Sequence, residues 1–234
     1  LLPKSFSIQN FVDGWKSAGS YTYLTYFLNS FALVVPTTVL TIASSALVAY
    51  GFARFEFPFK KQLFALLLAT LMLPNSVVII PRYVLFNKFG WVDSYMPWWV
   101  PAILACYPFF IYQLIQFMRS IPRDLDESAY IDGCSTFRVF WQILLPLMKS
   151  SLFSAGLFQF LWTYNDYFNS LIFINSVKKY TVSLALRLSV DAESVVVWGR
   201  VMAMACVAVL PLVLLFFAAQ KYFVEGIATS GLKG

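Results

Sequence analysis

Two short stretches of this 234-residue chain carry residue types whose spacing could do chemistry. The first is GIATSGLKG, Gly226 to Gly234. Its G-x-x-x-x-G spacing approaches the loop whose backbone N–H groups cradle nucleotide phosphates. Such a loop needs lysine and then a hydroxyl residue directly after the second glycine, with a strand before it and a helix after it. Here Leu232 intervenes and a long apolar stretch comes before, so ATP binding by this segment is excluded. The second stretch is RSIPRDLDESAYIDGCSTFRVFWQILLP, Arg119 to Pro146, the densest charge cluster in the sequence. Its carboxylates have no imidazole to work with, because the chain has no histidine. That removes Ser–His–Asp and Cys–His nucleophiles and histidine-based zinc sites. Cys106, Cys134 and Cys206 lie far apart without a C-x-x-C and read as small buried fillers. No catalytic site and no metal site is expected. The charge cluster reads as a surface that is recognised rather than one that reacts.

The elements around the cluster are mostly apolar. Hydrophobic residues make up 60% of the chain and charged residues 12%, where a soluble domain carries about 25% charged. Mean hydropathy is +0.72. Charge-free runs cover 17–53, 62–81, 94–118, 150–165 and 201–220. A helix needs about 20 apolar residues to cross a bilayer. Five spans are expected, over about 26–53, 62–81, 97–118, 147–166 and 200–220, the fourth if Lys149 snorkels to the interface. Only helices or closed barrels satisfy the backbone in lipid, and alternating barrel strands are absent, so the fold class is an all-α polytopic bundle. The net charge of +6 is scattered through loops, which gives no nucleic-acid surface. Charges stand at the ends of the spans, not at mid-depth where a proton relay would need them. Pro36, Pro74, Pro101, Pro108 and Pro211 fall in the apolar runs, which suits a kinked bundle around a polar pathway but is also ordinary for membrane helices.

Within the charged stretch, Ile121-Pro122 can start a helix whose positive end Asp124, Asp126 and Glu127 complement. Gly133 fits a left-handed helix stop and Ser135 a cap for a second helix. Phe137, Phe140, Trp141 and Leu144 then form an apolar stripe at helical spacing, and Pro146 marks the join to the next span. A helix–turn–helix at the membrane surface is expected over 121–145. On this pattern it is either an interfacial loop or a docking element for a soluble protein.

Glu127-Ser128-Ala129, then Gly133, then Ile143-x-Leu145-Pro146 resembles the EAA loop of ABC importer permeases in every spacing, with Ser128 where the second alanine is usual. The resemblance runs along the chain through AYGFARFEFPFKK at 49–61, LPNSVVIIPRYVLFNKFGWVDSY at 73–95, WTYNDYFNSL at 162–171 and QKYFVEGIATSGLKG at 220–234. These are similar to the carbohydrate-uptake branch, and the tail to the maltose-type subunit. The resemblance implies a type I importer permease with six spans, one of them ahead of Leu1, and with the EAA loop and the C-terminus inside. It implies a multi-pass subunit in the cytoplasmic membrane of a prokaryote. The partners would be a second permease, an ATPase dimer that binds ATP and magnesium, and an extracytoplasmic binding protein for a di- or oligosaccharide.

By the same resemblance, Glu127, Ser128, Ala129, Asp132, Gly133, Ile143, Leu145 and Pro146 form the coupling segment, with the aromatics anchoring it to its own bundle. Gly231, Leu232, Lys233 and Gly234 form a cytoplasmic tail, 221–234, that reaches the ATPase. Asn29, Asn75, Tyr107, Gln159, Trp162, Tyr164 and Asn165 are substrate-pathway candidates, as aromatic faces and amides suited to sugar hydroxyls. The competing expectations are an ATP-independent carrier or channel and a permease for glycerol-phosphate-like solutes.

Overall fold

The computed structural model describes residues 8–16, 21–191 and 197–231. In chain order the helices are α1 Gln9–Lys16, α2 Tyr23–Arg54, α3 Lys60–Leu71, α4 Asn75–Lys88, α5 Met96–Ile103, α6 Pro108–Ser120, α7 Asp124–Ile131, α8 Thr136–Leu147, α9 Lys149–Tyr164, α10 Tyr167–Phe173, α11 Val182–Asp191 and α12 Trp198–Gly231. Tyr23–Arg54, Met96–Ser120 and Trp198–Ala218 are long and apolar enough to cross a bilayer. Two further pairs have the length and composition of a span but are sharply bent, as in a broken span or a re-entrant loop: α3 with α4, turned by 102°, and α8 with α9, turned by 76°. The stretch 62–81 is therefore not one straight helix. Pro74 accounts for the break, because the residue before a proline is driven out of the helical region.

The chain forms two compact units. The first comprises Leu1–Val35, Tyr83–Pro97 and Leu161–Ala218. Its core joins Tyr23, Tyr26 and Phe27 of α2 to Val182 and Ala185 of α11 and Ala203, Met204 and Ala208 of α12. α1 lies close on α12: a Cβ on Gly14 would stand 3.1 Å from Met204 and 3.2 Å from the Arg200 carbonyl, so a larger residue must displace one of them. Two connections in this unit are pinned by Asp93, which takes a left-handed φ of 59°. Its carboxylate accepts from the backbone N–H of Asn175 at 3.0 Å and of Ser176 at 2.8 Å, and from the Ser176 hydroxyl at 2.6 Å. Lys179 stands 3.1 Å from the same carboxylate.

The second unit comprises Pro36–Arg82, Trp98–Phe160 and Ala219–Gly234. Its core joins Ala46, Ala49 and Tyr50 of α2 to Phe110, Leu114 and Met118 of α6 and to Val139, Phe140 and Leu144 of α8. α9 meets α2 through a small residue, since a Cβ on Gly156 would lie 3.9 Å from Thr38 and Ile42. Close approach of this kind drives helix association in lipid, where burial of apolar surface from water is not available.

The cysteines correct an expectation. Cys106 and Cys206 are exposed and are not core fillers, while Cys134 packs half-buried against the core of the second unit. A thiol behaves as a small hydrophobe and meets lipid without cost.

Burial pushes the Asp93 carboxyl up, but the Ser176, Lys179 and Asn175 donors outweigh it and hold it well below the usual carboxylate range. A depressed native value means the pin stabilises the fold above the unfolded value of about 4 and is lost as pH falls below it. Asp93→Ala is expected to cost about 2 kcal/mol at neutral pH. Thermal unfolding should show that difference shrinking below about pH 4.

Candidate coupling site

The charged stretch folds into α7, a tight turn and α8. α7 begins at Asp124, two residues after Pro122, and Arg123 at its N-terminus gives no side-chain cap. The uncapped end is complemented instead by Asp124, Asp126 and Glu127 in the first turn. The helix closes with two crossed bonds: the Cys134 N–H donates to the Ala129 carbonyl at 2.9 Å, and the Gly133 N–H to the Tyr130 carbonyl at 3.0 Å. This Schellman closure needs a left-handed residue, and Gly133 supplies it with φ 79°. A Cβ there would meet nothing within 4 Å, so the requirement is conformational and not steric. Ser135 caps α8 by accepting from the Arg138 N–H at 3.4 Å.

α8 departs from the expected regular helix. Val139–Leu144 winds as π-helix, flanked by α turns at Thr136–Arg138 and Leu145–Leu147. The wider i→i+5 repeat brings Val139 and Leu144 onto one face with Phe140, and all three are buried. Phe137 and Trp141 are turned outward, 66% and 62% exposed, with their rings stacked 6.3 Å apart. The aromatic stripe is thus split. Phe140 anchors the segment to its own unit, while Phe137 and Trp141 stand free to meet another surface.

A buried ion pair ties α7 to the end of α2. Arg54 Nε stands 2.6 Å from Asp126 Oδ2, with the two side chains 6% and 10% exposed. The N–H is not aligned on that oxygen as a hydrogen bond, so charge holds the pair. Arg54 also donates to the Ile121 carbonyl at 3.1 Å, and Arg123 to the Ala53 carbonyl at 3.3 Å. Tyr50 of α2 reaches α8, donating to the Thr136 carbonyl at 3.0 Å with its ring 4.9 Å from Phe140. Burial pushes the Asp126 carboxyl above its ordinary range, against the pull of Arg54 and then Arg123. Sequence reasoning gave Asp126 only a helix-end role and missed Arg54. No spacing links residues so far apart; the only signal was an arginine closing a long apolar run.

Glu127, Ser128, Asp132, Gly133 and Pro146 are exposed, Ala129 is buried, and Ile143 and Leu145 pack partly buried against the core. Ser128 is drawn back onto its own helix, donating to the Asp124 carbonyl at 2.8 Å. Adjacent acids therefore differ in role: Asp126 points into the fold and Glu127 out of it.

The pathway candidates divide between the units. In the first, Asn29 donates to the Lys178 and Tyr180 carbonyls at 2.7 and 3.0 Å, and Tyr164 to the Ala208 carbonyl at 2.9 Å. Asn165 donates to Leu161 in its own helix turn, and Trp162 is half exposed. In the second, Asn75 is exposed and accepts from Arg82 at 3.3 Å, Tyr107 flanks α6, and Gln159 is buried. Asn29 and Tyr164 thus each tie two segments of the first unit together. Gly231 ends α12, and Leu232, Lys233 and Gly234 lie outside the described residues.

The chain is thus a helical membrane chain with a charged helix pair held against the end of a spanning helix. Residues 41–229 match the family model described as binding-protein-dependent transport system inner membrane component. The chain belongs to that family and is an ABC importer permease subunit. It is 35% identical over 233 residues to the probable ABC transporter permease YurM of Bacillus subtilis, covering 100% of this chain and 76% of that one. It is 31% identical to the trehalose/maltose permease MalG of Thermococcus litoralis over 89% of this chain and 75% of that one. It is 31% identical to the arabinooligosaccharide permease AraQ of Bacillus subtilis over 99% of this chain and 81% of that one. The fold matches a chain of a bacterial ABC transporter that imports the acidic polysaccharide alginate, with TM-score 0.83 and 18% identity, over 95% of this chain and 82% of that one.

Removing one partner of a buried pair leaves an uncompensated charge, at a cost of about 3–5 kcal/mol, whereas apolar replacement of both is close to neutral. Arg54→Met and Asp126→Leu should each lower the unfolding midpoint of the purified protein. The double variant should recover most of the loss. At Gly133, Ala should cost about 1 kcal/mol and Asn less, since Asn tolerates the left-handed region.

Proposed function

We propose that this chain forms half of the translocation pathway of an ATP-driven, binding-protein-dependent importer of a di- or oligosaccharide. The sugar class rests on relatives named for trehalose/maltose and arabinooligosaccharide transport. A second permease completes the pathway, a separate ATPase dimer binds ATP and magnesium, and an extracytoplasmic binding protein delivers the solute. The membrane is the cytoplasmic membrane of a prokaryote, with α7 and α8 on the cytoplasmic side. The tail from Gly231 to Gly234 extends toward the ATPase.

The observation that carries this reading is the division of labour on α7. Asp126 is buried against Arg54 while Glu127, Ile131, Phe137 and Trp141 are exposed on the same helix pair. Exposed charge beside exposed aromatics is the composition of a protein-binding surface. Shape and burial at the aromatics supply affinity, because an exposed ion pair is worth only ~0–1 kcal/mol. Glu127 fixes register against a cation of the ATPase. In the pathway, Trp162 is a half-exposed aromatic candidate, and Asn29, Asn75, Tyr107, Gln159, Tyr164 and Asn165 are the remaining polar candidates.

The test is solute-stimulated ATP hydrolysis and uptake by the reconstituted complex. Glu127→Ala and Gly133→Asp should leave the permease folded and lower both rates together. Trp141→Ala should weaken retention of the ATPase by about tenfold, the loss of one buried aromatic anchor. Normal rates in the first two variants with the ATPase fully bound would contradict the assignment.

A further inference from the structure

The second unit holds a basic recess that the coupling mechanism does not use. The loop after α2, the first turn of α3 and the last turn of α6 enclose about 460 Å³. Lys60, Lys61 and Arg119 line it, with Glu56 as the carboxylate. Glu56 is engaged by Lys60 at 2.9 Å, and Lys60 also donates to the Phe55 carbonyl at 2.7 Å. Lys61 and Arg119 form no ion pair among the described residues, although Lys61 lies near enough to Glu56 to act on its charge. The Arg119 guanidinium lies over the Phe64 ring at 5.1 Å, which orients it without neutralising it. The recess thus holds three cations against the one carboxylate of Glu56, an excess suited to an anion.

What continues from the recess identifies the anion. α3 has no buried residue, and Leu63, Leu66, Leu68 and Leu71 are exposed along it. Phe59, on the wall of the recess, is 72% exposed. The 12 residues of α3, rising 1.5 Å each, extend about 18 Å, close to the ~15 Å of hydrocarbon in one leaflet. A basic pocket opening onto an apolar surface one leaflet long fits a ligand with an anionic head and acyl tails. Basic pockets beside membrane helices bind lipid headgroups in this way.

We propose that Lys61 and Arg119, with Lys60 behind them, bind the phosphate of an anionic phospholipid whose acyl chains lie along α3. The test uses the full-length protein in its assembled complex, released from nanodiscs and weighed by native mass spectrometry. Phosphatidylglycerol should stay bound where phosphatidylcholine does not. Lys61→Gln with Arg119→Gln should weaken retention by about tenfold or more, the effect of losing two charges near the membrane surface. Lys61→Arg with Arg119→Lys should retain the lipid. Millimolar inorganic phosphate should leave the adduct in place. Equal retention of the two lipids by the unaltered complex would overturn the proposal even if the double variant fails to assemble. So would full retention by the Gln variant or loss in the charge-conserving one. Displacement by inorganic phosphate, with phosphate binding in phosphatidylcholine discs, would assign the recess to a free phosphate and overturn the lipid.

Discussion

The buried pair of Arg54 and Asp126 is the constraint on which the rest depends. A charge at the end of a spanning helix ordinarily turns to water, and a carboxylate in the first turn of a surface helix ordinarily does the same. Here both are withdrawn from solvent and held against each other. Desolvating two ions costs several kcal/mol each, and their attraction offsets this only in close geometry with further hydrogen bonds. Arg54 gains one such bond, to the Ile121 carbonyl, while Asp126 Oδ1 is buried with no hydrogen-bond partner. The arrangement is tolerated because separating the two ions would be worse than keeping them together. α7 is therefore fixed to α2, not merely resting on it.

This fixture gives the surface segment the properties of a lever. Tyr50 extends the grip to α8, and the π-helical stretch directs Val139, Phe140 and Leu144 inward. Phe137 and Trp141 are left outward, and Glu127 is exposed on α7. Side chains of the helix pair thus divide into a set buried against the unit and a set left exposed. An ion pair, three side-chain bonds to main-chain carbonyls and an aromatic contact join the helix pair to α2. π-Helical turns are rare and recur at functional sites, which agrees with this one sitting where a face must be split.

Much of the architecture was legible in the sequence. Long charge-free runs and the spacing from Glu127 to Pro146 carried the fold class, and family membership bears that reading out. The left-handed stop at Gly133 and the cap at Ser135 were also readable, because each rests on local backbone chemistry. What was illegible depends on distance or on an unusual winding. Arg54 and Asp126 are 72 residues apart in a chain whose periodicity says nothing of their meeting. The π-turn breaks the 3.6-residue stripe from which all four apolar side chains of α8 would have been buried together. Cys106 and Cys206 were misread because soluble cores, not lipid, set the expectation for buried thiols.

The central claim is that α7 moves with α2 as one body. Spin labels at the exposed positions Leu47 on α2 and Leu125 on α7 measure it in the reconstituted complex by electron paramagnetic resonance. The distance distribution between them should be the same in the nucleotide-free and ATP-bound states, and should broaden when Asp126→Leu removes the pair. A shift of several ångströms between the two states with the ion pair intact would show that α7 slides on α2, and would contradict this account.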